Sequence, residues 1–111
     1  MKYYRETKDG GVEAVELDPE GSEFRQYMRD WGQRPRRVDL TKVGEYEVST
    51  VFLGLDHSFG SGPPVLYETM IFKGDLTDLY MERYTTRQLA QGGHNAVVNR
   101  LRLGWVPDGS E

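Results

Sequence analysis

The sequence predicts an α+β domain, a mainly antiparallel sheet of about five strands with two helices on one face in the order ββα-βββα. Three observations predict it. Apolar residues recur at helical spacing in two stretches, they alternate or run continuously over short lengths elsewhere, and Gly, Asp and Pro mark the boundaries. The length of 111 residues is that of one domain, expected to occupy residues 1–104 with 105–111 as a C-terminal tail.

The elements follow in order. "KYYRET" and "GVEAVEL" flank "KDGG", where Asp9-Gly10 supplies the positive φ angles of a tight hairpin turn. "DPEGS" breaks the strand pattern, and Ser22 can cap a helix in which Phe24, Tyr27, Met28 and Trp31 share one face. Gly32 suits the end of that helix and Pro35 bars its continuation. In "EYEVSTVFLGLD", Tyr46, Val48 and Thr50 alternate with Glu47 and Ser49 before the run becomes apolar on both sides. A strand entering the middle of a sheet has this pattern. "VLYETMIFKG" returns after a Gly/Pro loop, and Lys73-Gly74-Asp75 turns the chain into "LYMERY" to complete a three-stranded meander.

The last helix lies in "TTRQLAQGGHNAVVNRLRL", capped by Thr85 or Thr86, with Leu89, Ala90, Gly93, Val97 and Leu101 on its apolar face. Gly92 and Gly93 together cost roughly 2 kcal/mol relative to alanine in a helix. Close packing on the sheet or room for a ligand would explain them. "GWVPDGSE" is a peripheral tail in which Trp105 can cover an edge of the core.

Composition narrows the function. A net charge of −4 opposes non-specific nucleic-acid binding, which requires a basic face. Cysteine is absent, which removes disulfides and thiolate metal sites and fits a reducing compartment. The N-terminus lacks an apolar signal core and no stretch is long enough to span a membrane, so a cytoplasmic protein is expected. Ten of the fourteen basic residues are arginine, and half of those are Arg25, Arg29, Arg34, Arg36 and Arg37. This cluster reads as the solvated end of the first helix or as an anion-binding patch.

Chemistry-bearing residues gather around "GLDHSFGSGPPVLYETM". Alternation places Leu66, Glu68, Met70 and Phe72 on one face of the returning strand and Val65, Tyr67, Thr69 and Ile71 on the other. Glu68 is therefore a carboxylate among apolar residues, needing a cation, a hydroxyl, a raised pKa or an opening in the sheet. Asp56 and His57 stand where a buried strand opens into the loop, Phe59 marks the loop tip, and His94 borders the apolar face of the last helix. Asp56, His57, Glu68 and His94 are sufficient ligands for a metal, but their spacing matches no ligand motif. "GSGPP" lacks the Lys and Ser/Thr of a phosphate-binding loop and leads into a strand, so it is not such a loop; no cofactor is expected.

Gly54 to His57, Gly60 to Pro64, Glu68 to Met70, Glu82 to Tyr84, and Gly93 with His94 together resemble small proteins of tailed bacteriophages and prophages. The resemblance spans roughly residues 43 to 98 and implies an accessory protein acting on the host, a candidate inhibitor of bacterial immunity in the host cytoplasm. The leading expectation is a non-enzymatic binding protein that sequesters a nucleotide-like ligand or occupies a host protein. Asp56, His57, Phe59, Glu68, His94, Arg34, Arg36 and Arg37 are its candidate ligand-binding residues. A homodimer or higher homo-oligomer is expected because pairing deepens the pocket of a small domain. The alternatives are a metal-dependent hydrolase or nuclease and a phage structural or assembly component.

Overall fold

A computed structural model describes residues 3–15, 25, 29, 36–56, 62–76 and 79–107. Strands β1 (Tyr3–Glu6) and β2 (Val12–Val15) pair as the predicted antiparallel hairpin. Its turn needs Gly10 at φ 88°, and Asp9 Oδ1 accepts hydrogen bonds from the Thr7 hydroxyl and, at 3.3 Å, from Gly11 N–H. Those two bonds hold the Asp9 carboxyl below the ordinary value.

The main sheet is a four-stranded antiparallel meander, β3 (Arg37–Val43), β4 (Tyr46–Phe52), β5 (Tyr67–Lys73) and β6 (Met81–Tyr84), in that spatial order. One helix, α1 (Arg87–Arg102), lies across all four strands. The α+β class stands, but among the described residues six strands in two sheets replace a single sheet of about five. The added strand is β3, joined to β4 by a tight turn in which Gly44 takes φ 59°. Arg37 consequently opens a strand instead of ending a helix, and Arg36, just before it, accepts at its carbonyl from Phe52 N–H at 2.8 Å. The first predicted helix falls outside the described residues except for Arg25 and Arg29, both helical and exposed.

Alternation decides what the main sheet buries. Val48, Thr50 and Phe52 of β4 and Tyr67, Thr69 and Ile71 of β5 point toward α1, and all six are buried. Thr86 caps α1, its hydroxyl accepting from Leu89 N–H at 3.1 Å. The other end closes through Gly104 at φ 100°, with Gly104 N–H donating to the Leu101 carbonyl and Trp105 N–H to that of Arg100. Trp105 then packs edge-on against Tyr80, under the Arg100 guanidinium. The buried face of α1 is Ala90, His94, Val97, Val98 and Leu101. Leu89, predicted to be on that face, is 57% exposed because the helix is rotated to bring His94 inward.

The hairpin docks on the end of the main sheet. Tyr4 N–H donates to the Gly54 carbonyl at 2.7 Å, and Tyr4 and Val12 pack against the cluster of Phe52, Leu66, Tyr67 and Ala90. Glu6 Oε2 accepts from the Tyr67 hydroxyl at 2.9 Å and from Arg87 Nη1 at 2.8 Å, tying β1 to the sheet and to α1. Burial and the Glu6 carboxylate both push the Tyr67 phenol well above its ordinary pKa.

Candidate functional site

The antiparallel register sets Asp39 opposite Thr50 and Thr50 opposite Thr69, so three polar side chains form one row across the sheet beneath α1. The core is divided there. Val48, Ile71, Val97, Val98 and Leu101 cluster on one side of the row, while Phe52, Leu66, Tyr67 and Ala90 cluster on the other. His94 descends from α1 onto the row and is wholly buried. Its Nδ1 lies 2.8 Å from the Thr50 hydroxyl, its Nε2 lies 2.9 Å from the Thr41 hydroxyl, and the Thr50 and Thr69 hydroxyls are 2.5 Å apart.

The Asp39 carboxylate stands 3.6 Å from His94 Nε2, which favours the tautomer with hydrogen on that nitrogen. Nδ1 then accepts from Thr50, and Thr50 from Thr69. Burial holds the imidazole pKa below its ordinary value, against the opposing pull of Asp39. Asp39 is itself held low, first by the Gln91 side chain, whose Nε2 donates to Oδ2 at 2.7 Å, then by His94 and the Leu40 N–H, against partial burial. Beyond Thr69, the Tyr84 hydroxyl is buried without a hydrogen-bond partner. Burial raises its pKa, and the neighbouring Thr69 hydroxyl works in the other direction.

The two helical glycines separate by role. A Cβ on Gly93 would overlap the Tyr84 ring and hydroxyl, so glycine is needed there for the helix to approach β6. A Cβ on Gly92 would meet nothing within 4 Å. Gly92 instead borders an open cleft of about 430 Å³ lined by Gly10 of the β1–β2 turn and by Arg87, Gln88 and Gln91 of α1. Gln91 connects the two features, since it lines the cleft and its side-chain amide is bonded to Asp39.

The predicted site residues are dispersed. Glu68 lies on the outer face of the sheet, opposite Arg83 in register, and accepts from Arg83 Nε at 3.0 Å. That guanidinium is the cation an enclosed carboxylate requires. His94 occupies the inner face, so the thickness of the sheet separates it from Glu68. Asp56 Oδ1 accepts from Val65 N–H at 3.0 Å and so ties together the two ends of the Gly/Pro loop. Arg34, His57 and Phe59 lie outside the described residues. Among the described residues, no group of three or more His, Asp or Glu side chains is placed to hold a metal ion.

Sequence reasoning passed over Asp39, Thr41, Thr50, Thr69, Arg87 and Gln91. The available signal was that Thr50 and Thr69 occupy inward positions of two otherwise apolar strand faces, which demands a buried partner for each hydroxyl.

Fold and site define an α+β protein in which one helix covers a four-stranded meander over a polar row and flanks a small cleft. No protein-family model, curated protein or solved structure matches this chain. Among the described residues, no helix is long and apolar enough to cross a membrane.

Proposed function

We propose that this chain is a non-enzymatic binding protein whose ligand, a small nucleotide-like molecule, sits in the cleft between the β1–β2 turn and α1. One observation carries the reading. Gly92 lowers helix stability by about 1 kcal/mol relative to alanine, nothing packs against the missing Cβ, and the exposed backbone faces the cleft. A flat ring can therefore rest directly against the helix. Arg87 offers guanidinium N–H groups beyond the one held by Glu6, which suit a phosphate, and the Gln88 and Gln91 amides suit the edge of a base.

Such a protein would be an accessory factor of phage type that withdraws a nucleotide signal from the host's immunity. The competing metal-dependent hydrolase loses support because two of its four ligands, Glu68 and His94, are on opposite faces of the sheet.

Calorimetric titration with a panel of cyclic and linear nucleotides tests the proposal. Binding by the wild type that is lost in Gly92→Leu and weakened in Arg87→Ala is the expected result. Absence of heat with every nucleotide would reject a nucleotide ligand and leave occupation of a host protein as the function to pursue.

A further inference from the structure

We propose that Gln91 and His94 compete for one oxygen of Asp39, so that engagement of Gln91 in the cleft and protonation of buried His94 are linked. The geometry is direct. Asp39 Oδ2 accepts from Gln91 Nε2 at 2.7 Å and lies 3.6 Å from His94 Nε2, while Oδ1 is occupied by the Leu40 N–H at 2.8 Å. The same oxygen therefore bonds a neutral amide and lies within ion-pair reach of the imidazole. A group that draws the Gln91 amide into the cleft frees Oδ2 to pair with an imidazolium, and an imidazolium draws Oδ2 away from Gln91.

The surroundings of His94 can accept a second ring proton. With hydrogen on both nitrogens, Nε2 donates toward Thr41 and Asp39 from β3, and Nδ1 donates to Thr50 from β4. Thr50 must then turn its own proton toward Thr69 of β5, and Thr69 its own toward the neighbouring Tyr84 hydroxyl of β6, which no hydrogen bond occupies. The buried hydroxyls thus reverse as a chain that ends on a free acceptor. Asp39 is the carboxylate that faces the ring. Glu82, at the outer end of the same row, accepts instead from the Tyr80 hydroxyl at 3.2 Å. On α1 the neighbouring groups are Gln91 and Asn95, which bond to one another at 3.3 Å.

The consequence for binding rests on the cleft being the ligand site: a ligand that takes up the Gln91 amide also takes up a proton at His94, and binds more tightly as pH falls through the His94 titration. The link itself requires no ligand. NMR titration of the His94 ring nitrogens and the Gln91 side-chain amide should show both following one midpoint, which moves to higher pH in Gln91→Ala and to lower pH in Asp39→Asn. Gln91 is a half-buried helix position where alanine is well tolerated. An unchanged midpoint in Gln91→Ala overturns the proposal, as does a Gln91 amide insensitive to the His94 titration, or an imidazole neutral down to acid unfolding in the wild type and in Gln91→Ala. These outcomes are independent of whether any nucleotide binds.

Discussion

His94 Nδ1 and the Thr50 hydroxyl meet at 2.8 Å in the interior, joining the helix to the centre of the sheet by a bond that water does not reach. The Thr50→Val substitution keeps the shape and removes the hydroxyl, leaving a ring nitrogen and the Thr69 hydroxyl without their partner. An unfolding free energy lower by about 2 kcal/mol in urea is expected, the scale for stranding buried polar groups. Replacing Thr50, Thr69 and His94 together by apolar residues should recover part of that loss.

The buried imidazole also sets the pH dependence of stability. Because its folded pKa lies below the ordinary 6.5, the unfolded chain binds the extra proton first as pH falls. Stability is therefore greatest above about 6.5 and declines as pH drops through that value toward the folded pKa. Asp39 acts in the same sense at lower pH: its depressed pKa contributes above the ordinary 3.8 and is lost below it. Urea midpoints measured between neutral and mildly acidic pH should show the first decline in the wild type and a flatter curve in His94→Gln.

Adjacent glycines should respond oppositely to alanine. Gly93→Ala drives a methyl into the Tyr84 ring and is expected to lower stability by about 2 kcal/mol or more, as overpacking does. Gly92→Ala meets open space and should raise stability by up to about 1 kcal/mol. Thermal melts of the two variants separate the outcomes, and a Gly93→Ala, Tyr84→Ala double mutant should show strong positive coupling.

Glu68 and Arg83 form a pair that can be dissected. Arg83→Leu leaves the half-buried carboxylate without its cation, with an expected loss of about 1 kcal/mol. Adding Glu68→Leu should remove most of that loss. Denaturation of both variants checks this, and unchanged ligand binding in the double variant would place Glu68 outside the binding site.

Much of the fold was legible in the sequence. The Asp9-Gly10 hairpin, the meander from Tyr46 to Tyr84 and the helix capped by Thr86 all follow from local pattern. Strand β3 was missed because Arg34, Arg36 and Arg37 outweighed the strand and turn signals of "VDLTKVGEY", although Gly44 marks a two-residue turn. The polar row was not legible. Thr50, Thr69 and Asp39 become neighbours only through strand register, and the rotation of α1 that exchanges Leu89 for His94 follows from what the sheet presents to it.

The polar row also fixes where along the sheet α1 can sit. A purely apolar interface would tolerate a helix displaced by one turn, about 5.4 Å, at little loss. Such a displacement would set Ala90 or Val98 over Thr50 and Thr69 and leave their hydroxyls buried without the imidazole. The buried bonds thus discriminate among alternative dockings of the same two surfaces, a service to uniqueness rather than to net stability. The cleft inherits that precision, since Arg87, Gln88 and Gln91 are aligned with the Gly10 turn only in the one docking that satisfies His94.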